Sequence, residues 1–199
     1  MDKKEALKIV QEDGNELSNL PDNFKKDKEI VLEAIKQNAY ALRYADDSLK
    51  KDREFLLKAV KQNNSALRDA DDSLKKDKEF ILGAVKLSCH TLRDADDSLK
   101  KDKEFILEAV KQDGFVIEYA DDSLKKDREI VLEAVKQNGF TLLLADDSFQ
   151  KDKEIVLEAL KKYSILKDKM GKIILISLED IDESLRNDPD ILAMVNKKK

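Results

Sequence analysis

The sequence predicts an all-α fold, an α-solenoid of about seven 25-residue helical-hairpin repeats, and three observations carry that expectation. The block Ala-Asp-Asp-Ser, followed by Leu or Phe, begins at Ala45, Ala70, Ala95, Ala120 and Ala145, with a constant step of 25 residues. A fixed period in this range means that one small unit is stacked on copies of itself. In the same register an acid recurs at Asp2, Asp27, Asp52, Asp77, Asp102, Asp127 and Asp152, each followed by a run of apolar residues and helix formers. Finally, apolar residues make up 41% of the chain and charged residues another 41%. The apolar ones follow the repeat, which is not the composition of a disordered chain.

Each recurring Asp is read as the N-cap of a long helix, with the acid two positions on (Glu29, Glu54, Glu79, Glu104, Glu129, Glu154) complementing the positive end of the helix dipole. The apolar set Ile30, Val31, Leu32, Ala34 and Ile35 is too wide for one stripe, so this helix touches neighbours on two sides. It ends near Asn38. Gly14, Gly114 and Gly139 follow in their rows, as expected where a chain turns through a left-handed conformation, although Ala39, Asn64 and Cys89 hold the same column.

A second, shorter helix is predicted over residues 40–45 and their equivalents, with Leu42, Leu67, Leu92, Ile117 and Leu142 as its apolar contacts. Pro21 marks its end in the first row, since a helix interior would reject a proline. The Asp-Asp-Ser-Leu-Lys-Lys segment reads as a turn of α- or 3₁₀-helix whose Leu49, Leu74, Leu99, Leu124 or Phe149 plugs the joint between repeats.

The expected organisation is a single array over residues 1–199. Residues 2–26 form a divergent first repeat, 27–160 the regular repeats, and 161–199 a divergent C-terminal cap containing an 11-residue insertion. The insertion lies between Tyr163 and Asp182, and residues 164–178 read as a lengthened second helix. A strand at 172–177 is the alternative, weakened by the lack of an evident partner. In the last row Asp188 caps another helix with Pro189 at its first position, where a missing N–H costs least.

The net charge of −5 arises from interleaved Lys and Asp or Glu, with no sustained block of one sign before Lys197. This disfavours nucleic acid and an anionic membrane as partners. Cys89 is the sole cysteine, so no intrachain disulfide forms. The longest apolar run, Ile173 to Ile176, is far too short to span a bilayer, and the chain reads as soluble and cytoplasmic. Export by a specialised secretion system would leave no mark in these features.

The run Glu-Ile-Val-Leu-Glu-Ala-Val-Lys-Gln-Asn-Gly-Phe at 129–140, preceded by Tyr-Ala-Asp-Asp-Ser-Leu-Lys-Lys-Asp at 119–127, resembles the domain of unknown function family numbered 4116. The likeness covers roughly residues 27–160 and weakens in the first and last rows. The resemblance implies a repeat protein of the kind found in bacteria, protists and large viruses, often in host-associated proteins, and it brings no catalytic residues. An interaction array is what it leads one to expect.

Chemistry has little to stand on. Cys89 and His90 are adjacent, and neighbouring side chains on a helix point about 100° apart rather than at each other, so no nucleophile pair is expected. Paired acids such as Asp46-Asp47 lack the spacing of a calcium loop and read as caps. The five glycines are isolated, so no phosphate-binding loop exists. The expectation is therefore no enzyme, no cofactor, no metal and no small-molecule substrate.

What varies between rows lies on the short helix. Tyr40, Ser65, His90, Phe115 and Phe140 share a column, as do Arg43, Arg68, Arg93, Glu118 and Leu143, and Tyr44, Asp69, Asp94, Tyr119 and Leu144. Framework columns barely change, so Arg43, Tyr44, Arg68, Asp69, Arg93, Asp94, Glu118 and Tyr119 form the candidate face for an unidentified protein partner. The predicted function is a non-catalytic protein–protein interaction scaffold. A single-stranded RNA reader, supported by the arginine ladder but opposed by Asp69, Asp94 and Glu118, and a passive spacer are the alternatives.

Overall fold

The computed structural model describes residues 1–161, 166–167, 173–174 and 181–196. It is a helical repeat, and the chain divides into two compact units, Met1–Leu99 and Lys100–Lys199. The first holds the long helices α1 (Lys3–Glu12), α2 (Lys28–Gln37), α3 (Arg53–Gln62) and α4 (Lys78–Val85). The second holds α5 (Lys103–Gln112), α6 (Arg128–Gln137), α7 (Lys153–Lys161) and α8 (Pro189–Asn196).

The caps form as the sequence predicts. The Asp27 carboxylate accepts from the Glu29 and Ile30 amides, Asp77 from the Phe80 amide, and Asp188 from the Asp190 and Ile191 amides. Pro189 occupies the first position of α8. Helices α2 to α7 each bury two adjacent rows, such as Ile30, Val31, Ala34 and Ile35 in α2, whereas α1 at the start of the array buries only Ala6 and Val10.

The repeat is not a hairpin of two α-helices. The second element is a six-residue 3₁₀ segment, for example Ala39–Tyr44, Asn64–Asp69 and Gly114–Tyr119. Its side chains at i and i+3 eclipse, which aligns Ala39, Leu42 and Ala45 as one buried row. A one-turn helix follows, such as Asp47–Lys50 or Asp72–Lys75, replaced by 3₁₀ turns at Leu124–Lys126 and Asp147–Lys151. Leu49, Leu74, Leu99, Leu124 and Phe149 are buried there.

A single residue closes the long helix and opens the 3₁₀ segment. Asn38, with φ −147° and ψ 115°, donates its N–H to the Ala34 carbonyl and accepts from the Tyr40 amide through its side chain. Asn63, Asp113 and Asn138 do the same. This extended junction corrects the reading of Gly14, Gly114 and Gly139 as left-handed turn residues, because none of them has a positive φ. Their role is close approach: a Cβ on Gly14, Gly114 or Gly139 would stand 2.3, 2.7 or 2.2 Å from the carbonyl oxygen of Ala34, Ala134 or Ala159 on the next long helix. Where Ala39 and Asn64 hold the column, the 3₁₀ segment makes only sparse contact with the next long helix, so residue size here sets how tightly two repeats seat.

Helix α4 departs from its neighbours. It ends at Val85, and Gly83 stands where other rows have Glu33, Lys58 or Glu108. A Cβ at Gly83 would meet only Leu57 Cδ2, at 3.8 Å. Gly83→Ala is therefore expected to stabilise the protein by about 0.5–1 kcal/mol, read as a raised urea midpoint with unchanged slope.

The lengthened helix expected at 164–178 is corrected where the structure describes it. Leu166–Lys167 and Ile173–Ile174 pair as antiparallel strands, Leu166 opposite Ile174 and Lys167 opposite Ile173. The insertion supplies its own strand partner, and β-branched Ile173 and Ile174 favour extended backbone. The rest of that expected helix falls outside the described residues. After the insertion the repeat resumes, with Asp182 and Asp188 in the places of Asp146 and Asp152.

Candidate functional site

Two ladders of ion pairs join successive repeats. The first joins caps. Lys28 Nζ lies 2.6 Å from Asp52, Lys3 2.8 Å from Asp27 and Glu29, Lys103 2.8 Å from Asp127, and Lys153 2.8 Å from Asp188 and Asp190. Arg53 pairs with Asp77, and Arg128 with Asp152 and Glu154. The second ladder runs through the Asp-Asp-Ser turns. Asp46 accepts from the Ser48 hydroxyl and amide, faces Lys26 at 3.7 Å, and donates its own N–H to the Lys25 carbonyl of the preceding repeat at 3.0 Å. Asp71 and Asp146 repeat this pattern. Pro21 has no N–H to offer in that column, and its one-turn helix lacks a side-chain cap.

These contacts hold the aspartates below the usual carboxylate range. Asp52 is lowered by the hydrogen bond from Lys28 and then by the Phe55 amide, and Asp77 by the Phe80 amide together with Arg53. In Asp46, Asp71 and Asp146 the serine hydroxyl is the main cause. Burial pushes Asp27, Asp127 and Asp152 upward, and the hydrogen bonds from Lys3, Lys103 and Arg128 and from the helix amides outweigh it. A carboxylate whose folded value is depressed stabilises the fold above its unfolded value, and that contribution disappears as pH falls through the folded value. The melting temperature should therefore hold from neutrality down to about pH 5 and fall steeply below about pH 4, which a pH series of thermal melts checks.

The outward columns remain. In the first unit the structure brings Arg43, Arg68 and Tyr40 together. The Arg43 guanidinium lies 5.3 Å and the Arg68 guanidinium 5.1 Å from the centre of the Tyr40 ring, and Arg68 Nη1 donates to Tyr40 Oη at 2.9 Å. Arg93 reaches back in the same sense to Ser65 Oγ at 3.4 Å. Asp69 and Asp94 are more buried than the arginines and serve them loosely, Asp69 at 3.7 Å from Arg43 and Asp94 at 3.5 Å from Arg93. Asp69 Oδ2 is buried without a hydrogen-bond partner. Tyr40 and Tyr44 expose 41% and 37% of their surface.

Glu118 and Tyr119 belong to the second unit, on segment Gly114–Tyr119, with Glu118 exposed and Tyr119 half-buried. There the arginine column continues as Leu143, which is 42% exposed. Tyr40 was outside the candidate set and sits at its centre. The signal was available, because Tyr40 and Arg43 are three residues apart and a 3₁₀ segment stacks i on i+3.

Other candidates acquire no further support. Cys89 is buried in its 3₁₀ segment and His90 exposed beside it. Among the described residues no group of His, Cys, Asp or Glu is arranged to hold a metal, and no helix is long and apolar enough to cross a membrane. Shallow hollows of about 350 and 300 Å³ lie over the Lys and Asp side chains of the second ladder, one beside Lys126 and Asp146, the other beside Lys26 and Asp46.

The model of the Domain of unknown function (DUF4116) matches six overlapping segments, residues 2–50, 38–75, 52–100, 77–125, 102–149 and 127–167. The chain belongs to the DUF4116 family. The match reaches beyond residues 27–160 into the first repeat and the start of the insertion. Neither curated proteins nor solved structures give a match. In this DUF4116 chain the cap-ladder cations pair with carboxylates of the neighbouring repeat, whereas the outward Arg68 meets the preceding repeat through the Tyr40 hydroxyl.

Proposed function

We propose that this DUF4116 chain is a non-catalytic protein-interaction scaffold, acting in the cytoplasm, whose recognition face is the 3₁₀ surface of the first unit. The observation that carries the reading is the division of labour between columns. Cap-ladder cations such as Lys28 and Arg128 lie 2.6–3.0 Å from the carboxylates of the next repeat, whereas Arg43 and Arg93, like Lys26 of the turn ladder, keep carboxylates only at 3.5–3.7 Å, and Arg43 and Arg68 lie over an exposed tyrosine ring, that of Tyr40. Tyrosine and arginine presented on rigid elements are the residue types enriched at interface hot spots. A repeat frame lets these columns vary without cost to the stack.

The test is affinity capture from lysate, comparing wild type with the triple variant Arg43→Glu, Arg68→Glu, Arg93→Glu by quantitative mass spectrometry. The variant is expected to keep its helical circular dichroism and to lose the captured protein by at least about tenfold. Equal capture by both chains would overturn the face, and an empty result for both would favour a spacer.

A further inference from the structure

We infer that the Tyr40, Arg43, Arg68 and Arg93 surface receives an acidic segment of a partner protein in an extended, polyproline-II-like conformation, with carboxylates at every third residue. The inference rests on the protein-interaction reading above and names the chemistry of the partner. It begins with unspent donors. A guanidinium carries five N–H groups in a fixed fork, suited to bidentate pairing with a carboxylate. Arg68 donates to Tyr40 Oη and has no carboxylate within ion-pair distance among the described residues. Arg43 and Arg93 have one each, at 3.7 and 3.5 Å, beyond the 2.7–2.9 Å of a good charge-assisted bond. Cations of the cap ladder in the same unit, such as Lys28 and Lys3, already hold carboxylates at 2.6 and 2.8 Å.

Two of the three arginines are also pre-positioned. Arg43 and Arg68 both lie over Tyr40, and stacking on an aromatic ring orients the fork before a ligand arrives. Two cations share one ring while the carboxylate within ion-pair distance of them, among the described residues, is Asp69 at 3.7 Å from Arg43, so positive charge is in excess there. The exposed rings of Tyr40 and Tyr44 offer apolar contact to the methylene stems of glutamate.

Spacing decides the conformation. Arg43, Arg68 and Arg93 occupy equivalent positions in successive repeats, and packed helical layers lie about 8–10 Å apart. A polyproline-II chain rises about 3.1 Å per residue with three residues per turn, so every third side chain points the same way at about 9 Å intervals. A β-strand would turn alternate residues away and miss the register. Asp69 and Asp94 argue for carboxylates at intervals rather than nucleic acid, because a continuous phosphate backbone would be forced against them.

The experiment is fluorescence anisotropy with four labelled probes: a peptide of four Glu-Pro-Ala repeats, a peptide of the same composition with its glutamates contiguous, a peptide of four Lys-Pro-Ala repeats, and single-stranded oligouridine RNA. The spaced glutamate peptide is expected to bind tightest. Arg43→Glu, Arg68→Glu, Arg93→Glu should weaken it by at least about tenfold, and Arg68→Gln or Tyr40→Phe by a few-fold. The charge-matched variant Lys4→Glu, Lys8→Glu, Lys58→Glu, on the long helices, should stay within about twofold. Circular dichroism of each variant separates loss of binding from loss of fold. Equal binding of the contiguous or the lysine peptide, or indifference to the arginine variants, overturns the inference. If no glutamate peptide binds while lysate capture remains arginine-dependent, the acidic-segment inference falls and the scaffold reading stands. Arginine-dependent binding of RNA alone overturns both.

Discussion

Phe80→Ala is expected to destabilise the protein by about 3–5 kcal/mol, whereas Phe80→Ile should cost less than about 1.5 kcal/mol. Phe80 is 1% exposed at the start of α4, and its column holds Ile30, Phe55, Phe105, Ile130 and Ile155, all buried. A β-branched residue therefore already fills this place in other repeats of the chain, although the two flanking repeats hold Phe55 and Phe105, while alanine would leave a cavity. The ring has a second task. The Arg53 guanidinium lies 5.6 Å from its centre while pairing with Asp77, the cap of the same helix. Removing the ring unseats a member of the cap ladder as well as a piece of the core. Urea unfolding of the two variants measures the difference, and equal losses for Ala and Ile would refute the packing argument.

Gly139→Ala is the second large effect, at about 1–3 kcal/mol from one added methyl group. The new Cβ would stand 2.2 Å from the Ala159 carbonyl oxygen and 3.0 Å from its carbon, both backbone atoms that cannot rotate aside. Either the 3₁₀ segment Gly139–Leu144 or helix α7 must withdraw, giving up the contact between them. Gly114→Ala should follow with a smaller loss, since its nearest atom is at 2.7 Å. Neither glycine has a positive φ, so the cost comes from the joint rather than from backbone strain. Thermal melts rank the two, and a stabilised Gly139→Ala would contradict the close-approach account.

The parts of this fold legible in the sequence are those fixed by local chemistry. Asp27, Asp77 and Asp188 announce helix starts because an N-cap needs only a short acceptor and the next few amides. Leu49 and Leu74 announce joints because they stay apolar among charges. What was hidden depends on the neighbouring repeat. The pairing of Lys28 with Asp52, or of Lys26 with Asp46, joins residues 24 or 20 apart, and no helical period places such residues together until the repeats are stacked. Gly114 and Gly139 were visible, but their reason lies on the next long helix. The strand pair at Leu166 and Ile174 escaped because its partner comes from within the same insertion.

For the candidate face, Arg43, Arg68 and Arg93 were recognisable as positions the frame leaves open, and the structure adds Tyr40 as the ring that Arg43 and Arg68 share and Ser65 as the contact of Arg93. Glu118 and Tyr119 fall in the second compact unit, where the arginine column holds Glu118 and then the exposed Leu143. Column variation reveals which residues are spare, and only stacking reveals which of them meet.

The most direct test of this division of labour is a paired measurement of melting and lysate capture on two variants, an outward set (Tyr40→Ala, Arg43→Ala, Arg68→Ala, Arg93→Ala) and a ladder set (Asp52→Ala, Asp77→Ala). The account predicts that the outward set melts within about 2 kcal/mol of wild type and loses its captured protein, since exposed pairs and ring contacts contribute little to stability. The ladder set should lose about 0.5–2 kcal/mol per cap and keep the capture below its melting temperature. An outward set that retains its partner, or that unfolds more readily than the ladder set, would contradict the account.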